Sequence, residues 1–225
     1  YKIGLGVTQD YKESVKWWKK SSEQGNVESQ FNLGVSYKKG LGVTQDYKES
    51  VKWFRKLSEQ GFDKSQYNLG MMYEKGLGVP QDYKESIKWY RKASEQGHQP
   101  SQYNLGNMYY NGQGVPRDYV MAYMYWNLSS VSGDKDSIKN REIVEKKMTP
   151  SQIEKSQKLV RQLMRSHITT GSSVAVRIAP RYPMRAVKKH IEGWVKVQFT
   201  ITKEGKVSNA IVVDSNPKNV FDRAA

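Results

Sequence analysis

Cysteine is absent from the 225 residues, so neither a disulfide framework nor a cysteine-ligated metal site can form. An oxidising compartment stays open, since such compartments do not require cysteine. The chain holds no run of eighteen apolar residues, so nothing in it reads as a membrane span. Nothing reads as a signal peptide either. It opens at Tyr1 inside a repeated pattern, which leaves room for an export signal or anchor upstream. Histidine is scarce: His98, His167 and His190 are the three, and no two share metal-ligand helical spacing. Gly171-Ser172-Ser173 has the composition of a linker rather than of a nucleophile elbow. His190 near Glu192 could form an acid–base pair, but a lone exposed histidine at a helix end is strongly preferred. No enzyme activity, cofactor or metal is expected.

Charge of one sign is in excess. Thirty-seven Lys and Arg stand against 22 Asp and Glu, a net charge of +15. Such a chain attracts anionic partners: nucleic acid, an acidic membrane surface, a cell-wall polymer or an acidic protein. A solvated lysine-rich surface is the plainer alternative.

What is present is repetition. The thirty-six residues from Tyr11 to Asp46 return at Tyr47–Asp82 and Tyr83–Asp118, and a degenerate copy opens at Tyr119. Residues 1–10 read as the tail of a preceding copy. A fixed period of this length marks a solenoid. Asp10 with Glu13, Asp46 with Glu49 and Asp82 with Glu85 have capping-box spacing, the glutamate being expected to reach back to the cap amide. Because the pair recurs at every helix start, capping is preferred over paired-carboxylate catalysis. Tyr11, Val15, Trp18 and Ser22 define one face of a first helix, which Trp17, Trp53 and Trp89 broaden as core rather than as ligand-stacking rings. The helix is expected to end at Gly25, Gly61, Gly97 and Gly133. Gln30, Leu33, Gly34 and Tyr37, with their counterparts, mark a second helix. The mid-helix Gly34, Gly70 and Gly106 imply a close helix–helix approach. The Gly40-Leu41-Gly42-Val43 segments are expected to be turns between hairpins, not phosphate cradles, since no Gly-Lys-Ser/Thr follows.

These residues (Leu33-Gly34, Tyr37, Gly40, Gly42-Val43 and the Trp-Lys/Arg-Lys…Ser-Glu-Gln-Gly segment) resemble Sel-one-like repeats, relatives of the tetratricopeptide repeat, over residues 1–166. The resemblance implies a right-handed α-solenoid used as a protein-interaction scaffold. Serines such as Ser14, Ser22 and Ser29 depart from the alanines usual in that family. Its disulfide-bridged, β-lactam-binding subgroup is not matched, since the cysteines are missing.

In the fourth copy Arg141 and Glu142 replace the Leu-Gly pair, which ends the stacking. Thr149-Pro150-Ser151-Gln152 then reads as a capping box opening a final helix, with Ile153, Gln157, Val160 and Met164 on its buried stripe. Residues 139–166 hold eight Lys/Arg against three Glu, which suits the polar cap a solenoid end needs. A nucleic-acid-binding helix is the alternative. After a linker at 167–176 the period changes. Val195, Val197, Phe199 and Ile201 alternate with polar residues, and Val207–Val213 returns as a second strand. Short helices are expected at Pro183–His190 and from Asn219.

Pro180-Arg181-Tyr182-Pro183, Arg185-Ala186, Glu192-Gly193-Trp194-Val195-Lys196-Val197, Gly205-Lys206-Val207 and Phe221-Asp222-Arg223 resemble the C-terminal domain of TonB proteins over residues 177–225. The resemblance implies a periplasmic module that engages outer-membrane transporters, with Pro180, Arg181, Tyr182, Pro183 and Arg185 carried over as partner-contacting positions. Ala179 and Arg181 replace glutamines common in that family. The family's domain runs on to a further strand, while this sequence stops at Ala225 inside the second helix.

The expected fold is therefore mainly α: a right-handed α-solenoid of helical hairpins, then a small α+β segment with an antiparallel hairpin. The expected domains are repeats over 1–148 (partial copy 1–10, copies 11–46, 47–82 and 83–118, degenerate copy 119–148), a capping helix over 149–166, a linker over 167–176 and a partial TonB-like domain over 177–225. The expected function is a periplasmic interaction scaffold with protein partners, among them an outer-membrane transporter. It would be inner-membrane anchored only through a segment upstream, and nucleic acid is not an expected partner. A cytoplasmic scaffold with a vestigial C-terminal module is the alternative.

Overall fold

The structure, a computed structural model, describes residues 10–169, 194–201 and 207–216. The chain divides into two compact units, Tyr1–Val160 and Arg161–Ala225. Antiparallel helical pairs fill the first: α1 (Tyr11–Glu23), α2 (Val27–Lys39), α3 (Tyr47–Glu59), α4 (Asp63–Lys75), α5 (Tyr83–Glu95), α6 (Gln99–Asn111), α7 (Tyr119–Ser129) and α8 (Lys135–Glu145). The longer α9 (Pro150–Thr169) begins there and runs across the division. It extends to Thr169, three residues past Ser166, where the capping helix was expected to end.

Caps set the helix starts. Asp10, Asp82 and Asp118 each accept two early amide N–H groups and Asp46 accepts one, satisfying donors that a helix leaves orphaned. The glutamate half of the expected capping box does not form. Glu13, Glu49 and Glu85 instead pair one turn on with Lys16, Lys52 and Lys88 at 2.8–3.0 Å. Two of the amides they were expected to hold are already engaged: Asp46 and Asp82 N–H donate to the carbonyls of Tyr37 and Tyr73 at 2.9–3.0 Å, as Asp118 N–H does to that of Tyr109. The loop folds back on the preceding helix and supplies a backbone acceptor first. At α9 the full box does form, with Thr149 N–H donating to Gln152 Oε1 at 2.8 Å and Gln152 N–H to Thr149 Oγ1 at 3.3 Å.

Core packing follows the glycines. A Cβ on Gly34 would lie 2.8 Å from the Phe54 ring, on Gly70 2.7 Å from Tyr90, and on Gly106 2.5 Å from Trp126. The second helix of each copy is thus pressed against the first helix of the next. The seven-residue loops therefore close the tighter pairs, α2 with α3, α4 with α5 and α6 with α7, rather than merely linking hairpins. Gly42 and Gly78 have φ of +72°, and a Cβ there would fall within 2.4 Å of the Tyr11 and Tyr47 backbones; only glycine fits. The shorter turns are fastened differently. Gln30, Gln66 and Gln102 each reach back eight residues to donate to the carbonyls of Ser22, Ser58 and Ser94 at 3.2–3.4 Å.

In the first copy the serines that depart from the family's alanines find partners, whereas the Ser58 and Ser65 hydroxyls one copy on are buried without one among the described residues. Ser14 Oγ donates to the Asp10 carbonyl, Ser22 Oγ to that of Lys19, and Ser29 Oγ to Ser21 Oγ. In α8, Arg141, which stands where Leu105 stood one copy earlier, donates to Asn127 Oδ1 of α7 at 3.2 Å. In α9 Ser156 and Val160 are buried, with Ile153 and Gln157 partly so; the Met164 side chain lies outside the described residues.

In the second unit, β1 (Trp194–Ile201) pairs antiparallel with β2 (Val207–Asn216). Val197 faces Val212 and Ile201 faces Val207, with irregularities after Lys196 and Gln198. The helices expected at Pro183–His190 and from Asn219, the turn expected at Lys203-Glu204-Gly205-Lys206 and most of the 167–176 linker lie outside the described residues.

A candidate interaction surface on the repeats

The expected partner-contacting positions Pro180, Arg181, Tyr182, Pro183 and Arg185 all lie outside the described residues, as do His190, Glu192 and Gly171-Ser172-Ser173. The geometry on hand is that of the repeats. Among the described residues, no three His, Cys, Asp or Glu are grouped to hold a metal ion. No described helix is long and apolar enough to cross a membrane.

The tryptophans of the first helices differ by copy. Trp17 is 53% exposed, Trp53 half-buried, and Trp89 only 6% exposed. The core role expected of this column fits Trp89 well and Trp17 poorly. In each copy a lysine ammonium sits over the ring: Lys20 on Trp17 at 5.0 Å, Lys56 on Trp53 at 5.9 Å, Lys92 on Trp89 at 4.5 Å. Beside them runs a second motif that sequence reading missed. Arg55 donates to the Tyr73 hydroxyl at 2.7 Å and Arg91 to that of Tyr109, each cation also lying near the tyrosine ring. Tyr109 stacks on Tyr125, with centroids 5.6 Å apart, and burial pushes the Tyr125 phenol up to about 12. The partners stand eighteen residues apart, half a period. Aligning the copies shows both columns, but not that they meet.

Between copies the contacts change chemistry. Lys38 donates to Asn68 Oδ1 at 2.6 Å and lies 5.8 Å from the Phe54 ring centroid; burial, then Lys39 and Lys75 nearby, lowers its pKa. One copy on, the Tyr90 hydroxyl donates to Glu74 at 2.6 Å and accepts from Asn104 at 3.0 Å. Burial and the Glu74 charge push the Tyr90 phenol strongly up.

Asn26, Phe62 and His98 vary between copies and read in the sequence as exposed positions able to carry function. They prove to be the residues at which the second helices start. Asn26 Oδ1 accepts from Ser29 N–H at 2.8 Å, and His98 Nδ1 from Ser101 N–H at 3.3 Å. Phe62 makes no side-chain cap and is 38% exposed. Two of the three are thus structural. His98 also packs on Tyr67, with ring centroids 4.9 Å apart, and burial lowers its pKa.

Repeated helical pairs, locked by glycine–aromatic contacts and offering recurring surface columns, define a solenoid repeat protein. The Sel1 repeat model matches residues 1–26, 27–62, 63–98 and 99–134, and the chain belongs to that family. Three of the matched units open on the second helix of the copies described above, so α2 and α3 fall in one unit. Two solved structures are similar. A protective antigen of uropathogenic Escherichia coli displaying an SLR fold is 35% identical with a TM-score of 0.66, over 77% of this chain and 39% of that one. A Sel1 repeat protein from Oxalobacter formigenes is 30% identical with a TM-score of 0.56, over 79% and 63%. Residues 178–225 match the model of the Gram-negative bacterial TonB protein C-terminal. Here Protein TonB of Escherichia coli is 39% identical over 56 residues, 25% of this chain and 23% of that protein. Protein TonB of Pseudomonas aeruginosa is 48% identical over 44 residues, 20% and 13%. The chain thus spans less than a quarter of the curated relatives it matches.

Proposed function

We propose that this chain is a protein-interaction scaffold of the Gram-negative cell envelope, periplasmic, in which Sel1 repeats hold a protein partner while a TonB-like module contacts an outer-membrane transporter. The observation that carries this reading is the TonB C-terminal match over residues 178–225. The proposed division has repeats over 1–148, a capping helix over 149–166, a linker over 167–176 and the TonB-like module over 177–225. In that module Pro180, Arg181, Tyr182, Pro183 and Arg185 are the contacting positions. Tyr182 brings an aromatic ring, and Arg181 and Arg185 bring forked donors suited to backbone or carboxylate acceptors. A partner is held by energy concentrated in a few such aromatic and arginine anchors.

The test is binding of the whole chain to a detergent-solubilised, energy-coupled outer-membrane transporter. Tyr182→Ala and Arg181→Ala should each weaken binding at least tenfold, about 1.4 kcal/mol, with helical circular dichroism unchanged. Equal binding by both variants, or capture of cytosolic proteins alone from a whole-cell extract, would overturn the proposal.

A further inference from the structure

The net positive charge is unevenly placed. Each of α1, α3 and α5 carries four Lys or Arg against two Glu, while α6 and α7 carry no charged side chain. The cations are Lys12, Lys16, Lys19 and Lys20, then Lys48, Lys52, Arg55 and Lys56, then Lys84, Lys88, Arg91 and Lys92. All are exposed. At 3.6 residues per turn the four of each helix fall within an arc of about 100°, so successive copies repeat one basic face on the same side of the array. The carboxylates on this side are accounted for. Glu13, Glu49 and Glu85 are taken up by Lys16, Lys52 and Lys88, and Glu23, Glu59 and Glu95 lie one to a helix, in the last turn.

We infer that this face of α1, α3 and α5 docks on an anionic lipid bilayer. The inference goes beyond the proposed function and uses no residue of the TonB-like module. Charge complementarity selects the partner's sign, and the character of the face selects its shape. Ten of the twelve cations are lysines, compact point charges on flexible stems that suit a diffuse layer of phosphates better than a fixed array of acceptors. The two arginines, which could grip a nucleic-acid phosphate or a carboxylate with a fork, are already bonded to Tyr73 and Tyr109. A row of stacking platforms for successive unpaired bases is not offered, since Trp53 and Trp89 are largely covered and of this column Trp17 alone is open. Trp17, half-exposed with Lys20 above it, is the ring placed to enter the headgroup layer.

Sedimentation of the whole chain with equimolar phosphatidylglycerol–phosphatidylcholine vesicles tests the inference. The triple variant Lys12→Gln, Lys48→Gln, Lys84→Gln removes three cations that make no side-chain hydrogen bond, ion pair or ring contact among the described residues. The control Lys39→Gln, Lys75→Gln, Lys146→Gln removes the same charge elsewhere. The expected result is binding to the anionic vesicles and not to pure phosphatidylcholine, a fall of roughly a hundredfold in the first variant, and near-parental binding in the control. Loss at about 0.5 M salt should accompany it. Equal losses in the two variants, equal binding to neutral vesicles, no binding to either, or tighter retention by duplex DNA at matched phosphate concentration would overturn it.

Discussion

Gly70 has no side chain because the Tyr90 ring occupies the space where one would start. An alanine there would set its Cβ 2.7 Å from the ring and 3.2 Å from the Ser86 carbonyl oxygen. Better helix propensity offsets up to about 1 kcal/mol, and overpacking costs about 1–3 kcal/mol. Gly70→Ala should therefore lower the thermal midpoint by a few degrees, read by circular dichroism. His98 makes a prediction in pH. Its imidazole must be neutral at Nδ1 to accept the Ser101 amide, and burial depresses its folded pKa below the ordinary value of about 6.5. A depressed histidine contributes stability that is present above the unfolded pKa and lost as pH falls through the folded one. Stability should fall on acidification below about pH 6.5, and His98→Asn, which keeps a cap acceptor, should shrink that loss. The local features were legible: aspartate caps, glycine stops and the close-approach glycines depend on neighbours within one turn or on a repeated gap. The ring received by each glycine was less so, since Phe54, Tyr90 and Trp126 differ in type where the glycine does not.

At the scale of an element, a helix here is fixed more firmly at its ends than along its length. Asp82 accepts from both Lys84 and Glu85 amides, and its own amide is bonded to Tyr73. Asp82→Ala should cost about 1 kcal/mol. Glu85→Gln should cost much less, because the glutamate makes an exposed ion pair rather than the reciprocal cap bond; paired denaturant titrations separate the two. The sequence suggested the reciprocal bond because Asp-x-x-Glu is its signature. Only the folded loop reveals that a carbonyl nine residues back takes that amide. The Arg–Tyr columns were hidden for a related reason: contacts between adjacent helices depend on hairpin geometry, which spacing along one helix does not encode.

For the whole molecule, stability is a sum of copies and the contacts between neighbours. Deleting residues 47–82 joins Asp46 to Tyr83 in phase and sets α2 against α5. The shortened chain should still melt cooperatively, at a lower temperature. In it Lys38 takes the place of Glu74 beside Tyr90, so adding Lys38→Glu should recover part of the loss. The repeat architecture was readable from period alone, and the C-terminal resemblance from its motifs. The positions proposed to touch a transporter remain a matter of that resemblance.

Near-identical copies joined in tandem risk pairing out of turn. The variation at the glycine–aromatic seams bears on that risk. Lys38 lies over Phe54, Glu74 accepts from Tyr90, and Tyr110 packs on Trp126. A slip of one copy, seating α4 on α7, would leave the Glu74 carboxylate against an indole that has no hydroxyl to offer it. Interchangeable in outline, the copies carry individual keys at their seams, and those keys specify the order in which the chain stacks.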